Sequence, residues 1–247
     1  MPNHISNKLT ICGKAEEIAK LIATIETTHE DGEICHIDFE KIIPMPKILN
    51  TTHEGSQKTW GLAYYSIKEN KPEIIQKFCY YLTDIEEKLA KHSEEELAEL
   101  YEFGKTAYEV YKKYGATSWY DWRIQNWGTK WNAYYTTTGD MDDENKYTLY
   151  FQTAWSHPYP VLDRLVSMFP ELEFDYKFAD EDFSYNTGTG YGSEGVLTMY
   201  YPNGGSDEAV KLYIECWDEN EEDYYKDENG EWHNRNWEDD YEEENED

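Results

Sequence analysis

The apolar pattern of this chain changes period twice along its length, and no other feature limits the fold so sharply. Residues 7–46 read as strand, helix, strand. "NKLTICG" (7–13) is a short apolar strand that ends at a glycine. "KAEEIAKLIATIET" (14–27) sets Ile18, Leu21, Ile22 and Ile25 at i, i+3, i+4 and i+7, one apolar helical face. "CHIDFEKIIPMP" (35–46) carries Ile37, Phe39 and Ile42–Ile43 and stops at two prolines. A strand–helix–strand run of this length predicts parallel pairing through a right-handed crossover.

From about residue 58 to 118 the period is helical. Pro72 is placed as a first helical residue, followed by Ile74, Ile75, Phe78, Leu82, Ile85 and Leu89 on one stripe. Ser93 with Glu96 is a capping box for a second helix that buries Leu97, Leu100, Tyr101, Tyr108 and Tyr111. Gly115 lies just past its end, and Gly104 within it lets a neighbouring backbone approach. Strand alternation returns in "TKWNAYYTTTG" (129–139), where Trp131, Ala133 and Tyr135 share a face, and in "KYTLYFQTAW" (146–155). Pro158 and Pro160 then open a helix carrying Val161, Leu162, Leu165, Val166 and Phe169. "LEFDYKF" (172–178) and "GVLTMYY" (195–201) read as the last strands, with a mobile glycine-rich link, "SYNTGTGYGS", between them.

These elements predict an α+β fold: a ferredoxin-like α/β sandwich with a mixed sheet, helices on one face, an inserted helical subdomain and an acidic C-terminal tail. The expected division is 1–57 for the first strand–helix–strand unit and 58–128 for the helical insertion. Residues 129–214 then complete the sandwich, and 215–247 form the tail.

The tail is where charge enters the argument. The whole chain carries 52 acidic and 22 basic residues, a net of -30. Residues 215–247 hold 17 acidic and two basic side chains, half of that excess. Such a block is expected to stay solvated, although this one keeps Trp217, Tyr224, Tyr225, Trp232, Trp237 and Tyr241. Asn229–Gly230 marks a type I′ hairpin whose neighbours Glu228 and Glu231 repel, so the hairpin is expected to form on a basic partner. A field of this sign opposes direct contact with nucleic acid or an anionic membrane surface and attracts basic proteins. No apolar run approaches the roughly 18 residues that span a bilayer, and "MPNHISNKLT" lacks the pattern of a signal peptide.

Residues 119–133, "WYDWRIQNWGTKWNA", concentrate four of the nine tryptophans among polar partners. Ser118 is the expected N-cap of a helix over 119–127, and Gly128 its terminator. Trp119, Trp122, Trp127 and Trp131 are expected to form a structural wedge between the helical insertion and the sheet, their indole N–H groups held by Asp121, Gln125 or Asn126. The alternative, a platform on which bases stack, needs a positive groove, and Arg123 and Lys130 alone do not make one.

Several stretches together resemble the YubB-like proteins of phages and plasmids. They are "MPN…NKLTICG" (1–13), "DFEKIIPMP" (38–46) with Leu49, "YGATSWYDWRIQNWGTKWNA" (114–133) and "FQTAWSHPYPVLDRLVSMFPELEF" (151–174). The resemblance implies a ferredoxin-like C-terminal domain, a mobile-element origin and a bacterial cytoplasm. It brings no catalytic residues with it.

Catalytic and metal motifs are not found in the sequence. "HEDGEICH" (29–36) fits neither a zinc helix nor a zinc ribbon, and "DEDFSYNTGTGYG" (180–192) puts Tyr185 and Tyr191 where a calcium loop needs glycine and glutamate. Cys12, Cys35, Cys79 and Cys216 are scattered, as reduced thiols are. No catalytic residue, metal or cofactor is therefore expected. The expected function is non-enzymatic: an acidic protein that binds a basic or nucleic-acid-binding host protein, as a DNA mimic against restriction or CRISPR components. One alternative is a structural or interaction role in which the tail alone recognises a basic partner; another is an enzyme using a carboxylate pair. The expected contact residues are Asp140, Asp142, Asp143 and Glu144 in one loop. In the tail they are Asp218, Glu219, Glu221, Glu222, Asp223, Trp232, Trp237, Glu238, Asp239 and Asp240.

Overall fold

The computed structural model describes residues 3–139 and 145–235. The chain divides into two compact units, Met1–Ile43 with Trp127–Asp247, and Pro44–Asn126. In chain order the larger unit begins with β1 (His4–Cys12), α1 (Ala15–Ile25), β2 (Thr27–Thr28), β3 (Ile34–Cys35) and α2 (Phe39–Ile42). The smaller unit contributes α3 (Gly55–Lys68), α4 (Pro72–Phe78), α5 (Ile85–Leu89), α6 (Glu94–Tyr114) and α7 (Trp119–Asn126). The larger unit resumes with β4 (Tyr134–Thr138), β5 (Lys146–Ala154), α8 (Tyr159–Met168), β6 (Glu173–Asp180), β7 (Thr187–Ser193) and β8 (Val196–Tyr200). It closes with α9 (Asp207–Trp217), β9 (Tyr224–Lys226) and β10 (Trp232–Asn234).

Six strands form one sheet in the order β4-β5-β1-β6-β7-β8. Its first four strands, with α1 and α8, make the β-α-β-β-α-β arrangement of a ferredoxin-like domain. The expected α+β class stands, but the mixed sheet does not: every pairing in this sheet is antiparallel. The strand that follows α1 in the sheet, β4, is separated from β1 by β5, so the crossover joins strands that never touch. Residues 35–46 are not the parallel partner either. Cys35 ends a two-residue strand, Asp38 caps α2 by accepting from the Glu40 N–H at 3.0 Å, and Phe39 and Ile42 face the core one helical turn apart. With 42 and 43 both apolar, the run fits a single helical turn as well as a strand, and the cap decides.

On one face of the sheet, odd-numbered residues of β1 (Ile5, Leu9, Ile11) and β5 (Tyr147, Leu149, Phe151) are buried, with even-numbered Phe174, Tyr176 and Phe178 of β6. Helices α1 and α8 cover this face with Ile18, Leu21, Ile25, Val161, Leu162, Leu165 and Val166. The glycine-rich link is not mobile: it is strand β7, paired on both edges. Its glycines alternate with larger residues so that the core side is bare. A Cβ on Gly188 would fall 2.6 Å from the Phe178 ring, and one on Gly192 2.7 Å from Val166. The missing side chains are what let β6 and α8 pack so closely.

The strands expected over 129–139 and 146–155 pair antiparallel as β4 and β5, but β4 begins only at Tyr134, beyond Trp131. Tyr135 has φ +50° and the register shifts between Tyr134 and Thr137, a bulge that breaks the expected alternation.

The helical unit starts at Pro44, earlier than the expected 58. The single stripe over 72–89 is two helices, parted where Asp84 takes φ +53°. The turn lets Ile74 and Cys79 pack with Leu62, Ala63, Tyr65 and Ala107, with Phe78, Leu82 and Ile85 against them. The capping box is formed: Glu96 N–H donates to Ser93 Oγ at 3.2 Å, and Ser93 N–H to the Glu96 carboxylate at 2.7 Å. Gly115 closes α6 with φ +76°.

Helices α3 and α6 cross at Gly61 and Gly104. A Cβ built on Gly104 would lie 1.9 Å from the Gly61 carbonyl oxygen, and one on Gly61 2.8 Å from the Gly104 nitrogen. Neither contact can be relieved by a side-chain rotation. Gly104→Ala is therefore expected to push α3 and α6 apart and destabilise this unit by at least about 2 kcal/mol. Chemical denaturation followed by far-ultraviolet circular dichroism measures the loss.

Candidate protein-binding surface

The second face of the sheet is where the structure departs most from a solvated tail. Helix α9 lies across it. Ser206 caps the helix by accepting from the Ala209 N–H at 3.2 Å, with Asp207 and Glu208 in its first turn, where carboxylates oppose the positive helix end. Ala209, Val210, Leu212, Tyr213 and Cys216 are buried beneath it. The expected tail boundary at 215 thus falls inside a packed helix.

Three polar contacts hold α9 to β1 and β6. Ser6 Oγ donates to the Cys216 carbonyl at 2.5 Å, and the Trp217 indole N–H to the Asp180 carbonyl at 3.0 Å. The third is an ion triad. Lys8 and Lys177 are direct cross-strand neighbours, a repulsive pair by itself, and both ammonium groups lie 2.9 Å from Glu215. Burial alone would raise the Glu215 carboxyl pKa, yet the hydrogen bonds and charges of Lys177 and Lys8 hold it below the ordinary value. Each pair is about a third exposed, so each contributes about 1 kcal/mol or less. The triad's larger effect is to remove the repulsion that bare lysines would suffer.

Past the helix, Asp218 takes the left-handed conformation at φ +54°, and its N–H returns to the Ile214 carbonyl. Asn220 then caps a turn over Glu221–Asp223 by accepting from the Glu222 N–H at 3.2 Å. Tyr224 follows, buried against Phe183 at 5.2 Å in a stacked arrangement and beside Tyr213, where desolvation pushes its phenol far up. The turn is pinned at both ends. Asp218, Glu219, Glu221, Glu222 and Asp223 project from it, and none of them joins an ion pair among the described residues. Asp218, Glu219 and Glu221, with Lys8, Tyr150, Lys211 and Ile214, line a cleft of about 670 Å³. A second hollow of about 400 Å³ shares Lys8 and Tyr150 and continues over Thr10, Thr148 and Asp175.

The tail hairpin is present as the antiparallel pair β9–β10. Its loop differs from the expected type I′ turn. Asp227 N–H bonds the Glu231 carbonyl at 2.9 Å and Gly230 N–H bonds the Asp227 carbonyl at 3.0 Å, so the loop has three residues with Gly230 at φ +82°. The Asp227 carboxylate accepts from the N–H groups of Asn229 and Glu231 and substitutes for the missing ladder. Those bonds and the nearby His233 hold it below the ordinary aspartate range, and with Glu231 they account for the carboxylate–histidine cluster there. Trp232, expected as a partner anchor, is half-buried and donates its indole N–H to Asp207 at 3.1 Å. Asp140, Asp142, Asp143, Glu144, Trp237, Glu238, Asp239 and Asp240 lie outside the described residues.

The four clustered indoles fall two to each unit, because the division lies between Asn126 and Trp127. In the smaller unit Trp122 is buried and Trp119 has the Arg123 guanidinium 5.2 Å from its ring centre. Ser118 caps α7 as expected, Asp121 N–H donating to its Oγ at 3.2 Å. Asp121 holds no indole: it pairs with Lys58 at 2.9 Å and accepts from Thr117. In the larger unit Trp127 is fully buried, edge-on to Phe39, and gives its N–H to the Ile43 carbonyl at 2.8 Å. Lys130 sits between the rings of Trp131 and Trp155, at 5.0 and 4.8 Å.

Residues 130–227 match the ferredoxin-like domain in Api92-like protein. The matched segment runs from Lys130 through β9 and leaves out β1, the strand between β5 and β6. Among solved structures, a protein api92 from Yersinia pseudotuberculosis aligns over 82% of this chain and 99% of its own, with 9% identity and a TM-score of 0.41. None of the curated proteins matches the chain. No helix among the described residues is long and apolar enough to cross a membrane.

Three buried groups are tuned away from chemistry near neutral pH. Burial pushes the thiols of Cys79 and Cys216 up to about 11 and about 12. His157 stacks on Phe178 at 4.1 Å, and its Nδ1 has no partner among the described residues. Desolvation lowers its pKa from 6.5 to about 4. Between those values the unfolded chain binds a proton that folded His157 refuses, so stability falls as pH drops from 6.5 towards 4, by on the order of 3 kcal/mol. His157→Phe is expected to flatten that part of the stability–pH profile by one proton, read from urea midpoints across the range.

Proposed function

We propose that this protein is a non-enzymatic binding module for a basic, nucleic-acid-binding partner, and that the acidic turn after α9 is its principal contact. The observation that carries the reading is the set Asp218, Glu219, Glu221, Glu222 and Asp223. These are five carboxylates in six consecutive residues, anchored at both ends and outside every ion pair among the described residues. Duplex DNA carries a negative charge about every 1.7 Å along its axis. A fixed acidic turn on a chain of net charge -30 offers a basic groove a related density of charge. Neutralising the turn with Lys and Arg releases the cations gathered around its carboxylates, as neutralising phosphates releases those around DNA.

A DNA mimic carried by a phage or plasmid, acting on a restriction or CRISPR component in the bacterial cytoplasm, is the form of this role that the YubB-like resemblance favours.

Titration against purified bacterial DNA-binding proteins, with and without duplex competitor, tests the reading. At least one is expected to bind, to be displaced by DNA, and to weaken steeply with salt. Neutralising the turn (D218N, E219Q, E221Q, E222Q and D223N together) is expected to weaken that complex at least 10-fold and to lower its salt dependence. Equal binding by the neutralised variant, or simultaneous binding of protein and DNA, would sink the proposal.

A further inference from the structure

The two edges of the six-stranded sheet are treated differently. At one end β4 is interrupted by the Tyr135 bulge and shielded by the β2–β3 hairpin: His36 N–H donates to Thr136 Oγ1 at 3.0 Å, and Thr136 Oγ1 donates to the Ile34 carbonyl at 3.4 Å. Bulges and covering segments are the usual protections of an edge. At the other end β8 has neither. Its sequence, VLTMY, contains no charge, proline or glycine, although 30% of the chain is charged. Val196 is 65% exposed and Tyr200 53%, and Tyr201 just beyond is 55% exposed.

The register identifies the unused groups. Glu194 and Gly195 both have positive φ, +53° and +79°, as a two-residue type I′ turn requires, and Ser193 faces Val196 across it. Val196, Thr198 and Tyr200 therefore exchange backbone bonds with β7, while the N–H and C=O of Leu197 and Met199 point outward. No backbone bond from elsewhere among the described residues reaches them.

The geometry points to the β8 edge as a docking strand, on which an extended segment of a basic partner adds as one further strand. The occupant follows from charge. Exposed Glu194 stands at one end of β8 and exposed Glu208 near the other, where Tyr200 Oη donates to it at 3.0 Å; neighbouring Asp207 is already paired with Lys226 at 2.5 Å. A second copy would bring its own -30 to the same place. A strand alternating Lys or Arg with apolar residues meets the carboxylates with its cations and Val196 and Tyr200 with the rest. This rests on the reading of a basic partner and adds the way that partner is held.

A labelled octapeptide alternating lysine and valine is the probe, with affinity from fluorescence anisotropy and amide exchange from NMR. Bound peptide is expected to slow exchange at Leu197 and Met199 at least 10-fold. Met199→Pro removes one outward N–H and no β7 bond, and is expected to weaken binding at least 10-fold. Thr198→Lys keeps the backbone intact and is expected to weaken it several-fold, so the test survives if the proline variant fails to fold. Binding with no protection at Leu197 and Met199 would overturn the docking strand and leave the acidic turn as the contact. No binding even at low salt would overturn the docking strand alone, since the acidic turn is tested separately by the titration against DNA-binding proteins. A dimer whose Leu197 and Met199 amides are protected without peptide would assign the edge to a second copy instead.

Discussion

Strand β1 must be bonded on both sides before the larger unit exists. Nine of its residues face β5 and eight face β6, and those partners lie 134 to 175 positions later in the chain. A ladder that joins the two ends of a chain carries a heavy loop-closure cost, which only a cooperative gain in burial offsets. That gain is present on both faces. Ile5, Leu9 and Ile11 complete the core under α1 and α8, and on the reverse Ser6 and Lys8 receive α9. The helical unit leaves the chain between α2 and Trp127 and returns before β4, so the insertion lengthens the loop without interrupting any strand.

Several local signals are legible in the sequence. The Ser93–Glu96 box, Pro72 at a helix start, Gly115 at a helix end and the Gly104 crossing each depend on residues within a turn or on one steric fact. Strand direction does not. A strand–helix–strand pattern is the same whether its strands are neighbours or have a third between them, and here β5, more than a hundred residues on, takes that place. Strand β7 was hidden because glycine scores as a breaker, whereas its alternate glycines are the space that Phe178 and Val166 fill.

The acidic turn was anticipated as part of a loose tail, and the structure assigns it a fixed position. Net charge obscures the end of α9 and the turn after it, since 215–247, with its 17 acids, reads as solvated. The contrary evidence was also present in the sequence. Ser206 before Asp207 and Glu208 is a helix start, and Ala209, Tyr213 and Cys216 follow at helical spacing. The Lys8–Glu215–Lys177 triad could not be found that way, because its members come from β1, β6 and α9 and meet only in the folded unit.

The same charge that opposes compaction has a second consequence at β8. Edge strands are ordinarily protected by local devices such as a lysine, a proline or a bulge, and each of these also blocks a legitimate partner. A uniform negative field discriminates by sign instead. It repels another copy of the chain over a Debye length of about 8 Å at physiological salt and leaves the backbone groups of Leu197 and Met199 open to a cationic strand. An uncharged edge on a strongly acidic protein therefore need not be an aggregation hazard, because long-range repulsion supplies the protection that the strand itself lacks. Protection of this kind is conditional: it weakens as salt rises or as carboxylates take up protons, whereas a bulge such as that at Tyr135 of β4 protects under all conditions.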